Sequence, residues 1–253
     1  MVPMLAQTNA IILAAGKGTR MKSDVLKVLH HVSGKPMLAY VLDAVHSCAP
    51  NIYVVVGHQS DDVRSIFTNN SLTFVKQTEQ LGTGHAVQQV LPYLQNSTAE
   101  HTLILAGDCP LIQESTLESL LDTHCQTKAA ATILTTHMTD PFGYGRILRS
   151  EHNHISGIKE QKDCSDDQAK ITEINSGIYV FNTSLLLNYI SQLQSNNTQK
   201  EYYLTDIIHI LTDNGHTISG MITDDPDEII GINTPTDLAK VNDILLSKNN
   251  HIA

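Results

Sequence analysis

Two glycines and four cationic side chains crowd into residues 16–27, where Gly16 and Gly18 stand among Lys17, Arg20, Lys22 and Lys27. Glycine lets the backbone turn sharply and bring its N–H groups up to a ligand, lysine supplies a point charge, and arginine supplies a planar fork that matches phosphate. That combination suits a polyanion. Charge distribution agrees: residues 1–37 hold five Lys or Arg against one Asp, a net +4, which leaves −14 for the rest of a chain whose total is −10. A basic cluster on an acidic protein reads as a site for a small anionic ligand, because a nucleic-acid binder would spread a wide basic face.

Two further segments carry polar groups of the right kind. Asp108 follows Gly107 after the apolar run Thr102 to Ala106, so its carboxylate stands in an exposed turn at a strand end. There it can hold a hard cation such as Mg²⁺, which takes only one or two oxygens from protein; an Asx turn or helix cap would use the same residue. The stretch from Gln77 to Ala86 is a polar strand end that then opens a helix with Gly82-Thr83-Gly84. It offers amide edges and free helix N–H groups, and a β-turn with a threonine N-cap fits it equally.

These loops need a frame that brings them together. Ala10 to Ala15, Asn51 to Val56 and Thr102 to Ala106 are short apolar runs of the buried parallel-strand type, and Leu72 to Lys76 is a further short strand. Between them, Met37 to Cys48 places Leu38, Val41, Leu42 and Val45 at helical spacing, while Asp61 to Phe67 and Ala86 to Leu94 also read as helix. The alternation predicts an α/β fold, a doubly wound sheet that is mixed but mostly parallel, with ligands at the carboxyl ends of its strands. From Ala129 the texture changes. Ala131 to His137, Ile155 to Glu160 and Ile171 to Phe181 predict antiparallel excursions that wall the pocket. A helix with the stripe Leu204, Ile207, Ile208 and Leu211 follows, then runs at His216 to Ile222 and Glu228 to Ile232, and a last helix from Pro235 to Leu246.

Composition narrows the class. With 253 residues, 41% hydrophobic and 17% charged, the chain reads as one globular domain over 1–253. Its four cysteines form no C-x-x-C pair, so reduced thiols and a cytoplasmic setting are expected, with Cys109 beside Asp108 the thiol to watch. No apolar run approaches the ~18 residues of a membrane span, and none has the form of an export signal. The thirteen histidines form no HExxH and no tight cluster with cysteine. A Walker A loop would need G-x-x-x-x-G-K-[ST], and a dinucleotide fingerprint would need glycine where Met21 stands, so ATPase and dehydrogenase readings are set aside.

The stretch L-A-A-G-K-G-T-R-M, followed by K-V-L at Lys27 and S-G-K-P-M at Ser33, resembles the signature of the sugar-phosphate nucleotidylyltransferases. It is most similar to the uridylyltransferase half of the bifunctional N-acetylglucosamine-1-phosphate uridylyltransferase/glucosamine-1-phosphate acetyltransferase family. D-P-F-G-Y-G-R at Asp140 and E-Y-Y-L-T-D at Glu201 extend the resemblance along the chain. It implies a Rossmann-like sheet, with a nucleotide-binding half over about 9–125, a sugar-binding half over about 126–232 and a C-terminal helix over 234–247. The implied reaction joins UTP and N-acetylglucosamine 1-phosphate to give UDP-N-acetylglucosamine, a cell wall precursor, and pyrophosphate, with Mg²⁺ as cofactor.

The resemblance also implies roles. Arg20 would grip the triphosphate and Lys27 would stabilise the reacting phosphorus. Leu13, Ala14, Ala15, Gly16 and Gly18 would cradle the nucleotide, and Gln77, Gly82 and Thr83 would read the base. Gly107, Gly145, Glu160, Asn175, Tyr203 and Thr205 would meet the sugar, and Asp108 and Asn233 would hold the metal. Each has a plainer alternative: Glu160 as a solvated strand end, Asn175 as a strand-turn amide, Tyr203 as core packing, Asn233 as part of a helix start at Thr234-Pro235.

One residue departs from the pattern. The family carries proline before the lysine of K-V-L, whereas Leu26 stands here, so the loop that aims Lys27 is expected to be looser. The family continues into a hexapeptide-repeat β-helix, whereas this sequence stops at Ala253, so no acetyltransferase activity and a monomer or weak homo-oligomer rather than a trimer are expected. Two rivals remain at this point: transfer to another sugar such as glucose 1-phosphate with UTP or dTTP, and a non-catalytic nucleotide-sugar-binding relative.

Overall fold

In the computed structural model the described residues are 7–58, 60–69 and 71–250; the ends of the expected 1–253 domain lie outside them. The chain runs β1 (Thr8–Ala14), β2 (His31–Val32), β3 (Lys35–Pro36), α1 (Met37–His46), β4 (Asn51–Val56), α2 (Ser60–Ile66), β5 (Leu72–Lys76), α3 (Thr83–Gln88), α4 (Leu91–Leu94) and β6 (His101–Ala106). It continues through α5 (Glu114–Thr127), β7 (Ala131–His137), β8 (Gly145–Arg149), β9 (Ile155–Lys159), α6 (Asp166–Ala169), β10 (Glu173–Asn182), α7 (Thr183–Tyr189), α8 (Asp206–Asp213), β11 (Ile218–Ile222) and α9 (Pro235–Asn250).

The main sheet has the order β11-β7-β10-β6-β1-β4-β5, with β8 and β9 attached beside β10. Strands β6, β1, β4 and β5 are mutually parallel, β7 and β11 are parallel to each other, and β10 runs antiparallel to both of its neighbours. It is the Rossmann-like, mostly parallel sheet that the alternation of strand and helix predicts. Because β1, β4, β5 and β6 point the same way, the loops after Ala14, Val56, Lys76 and Ala106 emerge at one rim.

Strand β1 shows why these residues make a central strand. Successive side chains point to opposite faces, so Ala10, Ile12 and Ala14 join the core under α1 and α5, while Ile11 packs with Val55, Val87, Val90 and Ile104 on the other face. Every one of those residues is buried. The stripe on α1, Leu38, Val41, Leu42 and Val45, is buried as its spacing predicts, each contributing about 1.5–3 kcal/mol. Strand β10 changes partners midway. Ile174 and Asn175 pair with β8, Tyr179 to Asn182 pair with β6, and a register shift separates the two sets. Ser176 Oγ seals that break by donating to Leu134 O at 2.6 Å and accepting from Ile178 N at 3.1 Å.

Two expectations need correction. The helix expected over Ala86 to Leu94 is two helices, and it begins at Thr83. Pro92 has no N–H to continue the ladder from α3, so the helix breaks in the turn before it, at Gln89 and Val90, and restarts with Pro92 in its first turn. The run at Glu228 to Ile232 opens in a 3-10 turn over Pro226–Ile229, with Asp225 capping its start. Asp108 is not in an exposed turn, since its side chain is only 15% exposed beneath Lys27. Helix α5 escapes a reading from composition because its fourteen residues are largely polar, yet Leu117, Leu120, Leu121 and His124 form a buried stripe.

Candidate functional site

A cavity of about 430 Å³ opens at the carboxyl rim of β1, within the size range of small-molecule sites. Leu13, Ala14, Ala15, Gly16 and Lys17 form one side of it, Gln77, Gln80, Gly82, Thr83 and Glu201 another, and Lys27 and Asp108 reach it as well. Gly18 does not line the cavity; its work is to let Lys27 in. It has φ +61°, and a Cβ there would lie 2.7 Å from Lys27 Cβ. Backbone twist and side-chain absence are both required at that one position.

Lys27 sits at the hub of a polar network. It pairs with Asp108 Oδ2 and donates to Asn233 Oδ1 at 2.9 Å, and Arg20 Nη2 donates to the same Asn233 oxygen at 2.8 Å. Four residues expected to act together, from three separate segments, are thereby in contact. The segment carrying Asn233 is tied down by Ile232 N, which donates to Asp108 O at 2.9 Å, and by Asn233 Nδ2, which donates to Gly231 O at 3.1 Å. Capping of α9 falls elsewhere: Asp237 Oδ2 accepts from Asn233 N and Thr234 N, and Thr234 Oγ1 accepts from Asp237 N. The Asn233 side chain is therefore free to face the network.

This donor set fits magnesium. The oxygens of Asp108 and Asn233 converge on one cation, the Lys27 ammonium, and among the described residues no cluster of three or more His, Cys, Asp or Glu could hold a metal. Two protein oxygens, with water and phosphate completing the shell, is the usual arrangement for Mg²⁺. Asp108 caps no helix, since α5 begins only at Glu114. Cys109 is buried, and its thiol is pushed well up by burial first and by the Asp108 charge second, so it is an inert packing group.

Leu26 does not behave as the missing proline suggests. Its φ is −54° and ψ 136°, the conformation proline would impose, and its carbonyl accepts from Leu29 N at 2.9 Å to close a 3-10 turn over Lys27–Leu29. The loop holds its shape through that turn.

The base-side residues are equally constrained. Gln77 is buried, and its Nε2 donates to Gly82 O at 3.1 Å and lies 3.0 Å from His85 Nδ1. Gly82 has φ +112°, and a Cβ there would lie 2.6 Å from Tyr202 O. Thr83 does not cap α3, whose N-cap is Gly82; its hydroxyl instead accepts from Leu204 N at 3.0 Å.

Of the sugar-side residues, Gly145, Glu160, Asn175, Tyr203 and Thr205 gather away from the lining of that cavity. Gly145 pairs with Asn175 across β8 and β10, and a Cβ on it would touch Asn175 Cβ at 3.5 Å. Asn175 Nδ2 donates to the Tyr179 hydroxyl at 2.7 Å, and Thr205 Oγ1 donates to Glu160 Oε1 at 2.9 Å. Burial raises the Glu160 carboxyl foremost, the Thr205 bond lowers it, and the net shift is upward; it is not a solvated strand end. Tyr203 is buried beside them. Gly107 stands apart from the sugar group, packed so that a Cβ would meet Leu38 and Ile12 in the core. The two groups are joined at Leu204, between Tyr203 and Thr205, and by Tyr144. Burial first, then Cys109, Asp237 and Asp108, push the Tyr144 hydroxyl up to about 12, which sets the Asp140 to Gly145 loop beside the Asp108 network.

His85, Gln80, Glu201, Tyr144 and Tyr179 were not legible as site residues. Four of them lie within the motif segments, but their contacts are made across loops. Tyr179 follows the β10 register shift, which no spacing rule exposes.

The chain is 46% identical over 242 residues to the bifunctional protein GlmU of Streptococcus sanguinis, covering 95% of this chain and 52% of that protein. It is 47% identical over 244 residues to the bifunctional protein GlmU of Lactococcus lactis subsp. lactis, covering 96% of this chain and 53% of that one. It thus spans about half the length of the curated relatives it matches. A crystal structure named as a glucose-1-phosphate thymidylyltransferase from Bacillus anthracis, in complex with sucrose, has the same fold, with a TM-score of 0.72, 19% identity and 94% of each chain covered. The MobA-like NTP transferase domain matches residues 10–171, and the chain belongs to that family.

Proposed function

We propose that the chain transfers uridylyl from UTP to N-acetylglucosamine 1-phosphate, giving UDP-N-acetylglucosamine and pyrophosphate. One observation carries the reading: Arg20, Lys27, Asp108 and Asn233 meet at the rim of the cavity that Gln77, Gly82 and Thr83 also line or border. Residues 9–125 supply the nucleotide half, 126–232 the sugar half, and 234–247 the C-terminal helix, which Asn233 precedes. Such a transfer needs no covalent intermediate. An oxygen of the sugar phosphate, already ionised at neutral pH, attacks the α-phosphorus, a new P–O bond forms, and the bond to the β-phosphate breaks with pyrophosphate leaving.

The protein's work is positioning and charge neutralisation. The backbone from Leu13 to Gly16 cradles the phosphates, with Gly18 admitting Lys27 beside them. Lys27 stabilises the charge that grows on the α-phosphoryl oxygens, and Arg20 holds the departing pyrophosphate. Glu160, Asn175 and Gly145 orient the sugar, with Thr205 and Tyr203 fixing Glu160 and its surroundings; Gly107 serves the turn that carries Asp108. Magnesium, held by Asp108 and Asn233, would supply Lewis-acid charge to the phosphate oxygens.

The test is a matrix of UTP, dTTP and CTP against N-acetylglucosamine 1-phosphate and glucose 1-phosphate, with and without Mg²⁺, read by pyrophosphate release. Magnesium-dependent release that is greatest for UTP with the acetamido sugar is expected. Greatest release with glucose 1-phosphate would reassign the sugar, and nucleotide binding without release in every pair would overturn the enzyme reading.

A further inference from the structure

Resting on that reading of the cavity as a nucleotide site, we infer that His85 is a positioning residue that selects the base by fixing which end of the Gln77 amide faces it. Gln77 lines the cavity and His85 does not, so His85 acts through Gln77. The amide has two ends of nearly equal shape and opposite hydrogen-bonding character. Its orientation here is set by two fixed acceptors. Gly82 O, 3.1 Å from Nε2, accepts only, so the NH₂ end must face it. His85 Nδ1, 3.0 Å away, takes the second amide hydrogen when that ring nitrogen is unprotonated. Both hydrogens are then used, and no described residue bonds Gln77 Oε1.

The tautomer follows from comparing the alternatives. A proton on Nδ1 would oppose the Gln77 NH₂ or force it to turn, setting Oε1 against Gly82 O inside a residue that is 2% exposed. A proton on Nε2 meets the Gln89 amide nitrogen, 3.1 Å away, which also donates to His85 O. Gln89, the C-cap of α3, is only half-buried and can turn to water, so the conflict is relieved there and not at Gln77.

The consequence is a selective acceptor. A free Oε1 receives the imide N–H of uracil or thymine; cytosine presents a lone pair at the same ring position and is repelled. An unpaired or opposed buried polar group costs about 1–3 kcal/mol, so the amide orientation governs discrimination of roughly 5- to 150-fold.

His85→Phe removes the acceptor and His85→Asn restores an oxygen near the Nδ1 position. Binding of UTP, dTTP and CTP to wild type and both variants is measured by calorimetry, beside pyrophosphate release. His85→Phe is expected to lower the UTP-to-CTP affinity ratio at least 5-fold, with UTP and dTTP falling together, and His85→Asn to recover most of it. An unchanged ratio in a folded His85→Phe, or a ratio that Asn does not recover, overturns the inference. Binding with the expected ratios but no pyrophosphate release overturns the proposed reaction and leaves this inference standing.

Discussion

Replacing Lys27 by alanine tests the network from two directions. Lys27 and Asp108 have side chains only 13% and 15% exposed, so their attraction is screened less than that of a surface pair. Removing one member of a fully buried pair costs about 3–5 kcal/mol. Here the cavity admits water and Arg20 remains within reach of Asn233, so a loss of roughly 1–3 kcal/mol is expected, which at about 2–4 °C per kcal/mol is a melting shift of roughly 2–12 °C. The freed oxygens of Asp108 and Asn233 then become available, and millimolar Mg²⁺ should restore part of that shift in the variant while moving wild type less. Turnover should fall at least ~100-fold, about 2.7 kcal/mol of transition-state stabilisation. The assays are a thermal melt with and without Mg²⁺ and steady-state pyrophosphate release. Turnover within a few-fold of wild type would refute the role of Lys27, and a melt shift that Mg²⁺ leaves untouched would refute the shared cation position.

Three further outcomes are open to measurement. Leu26→Pro keeps the backbone at its present φ of −54°, so the gain of about 0.4–1 kcal/mol from a stiffer unfolded chain offsets the lost leucine contacts, and turnover is preserved; a collapse of turnover would contradict the turn described at Lys27. Gly18→Ala meets both the left-handed φ, at about 1–2 kcal/mol, and the Lys27 side chain, so pyrophosphate release should drop at least ~10-fold; retention of full rate would count against the close approach. Glu173 accepts from Arg149 at 2.7 Å through both oxygens and from Thr135 at 3.0 Å; burial raises its carboxyl, the Arg149 bonds outweigh that, and its folded value lies below the ordinary 4.5. The stability it contributes is present above about pH 4.5 and is lost as pH falls through the lowered value, so Glu173→Gln should be less stable at neutral pH and show a flatter acid limb in urea unfolding. Parallel acid limbs would remove Glu173 from that account.

Much of the frame was legible because local pattern and tertiary role coincide. The unbroken apolar run from Ala10 to Ala15 marks a strand buried on both faces, and β1 packs Ala10, Ile12 and Ala14 on one face and Ile11 on the other. The Gly16 to Lys27 loop was legible from charge and glycine together. What escaped depends on partners distant in sequence. His85 matters through Gln77, which lies on the far side of a glycine turn, and Leu26 adopts a proline-like φ through the 3-10 turn that follows it. The detachment of the sugar-side group from the main cavity lining has a similar cause, since it follows from β10 exchanging β8 for β6 at its register shift.

That exchange along β10 also limits how the protein can move. The ladder from Tyr179 to Asn182 joins the parallel strands on one side of the sheet to β7 and β11 on the other, through main-chain bonds buried under both helical layers. A clamshell swing between the two sides would have to tear that seam. Grip on a substrate must therefore come from the rim, whose loops lie outside that ladder, while the floor stays rigid.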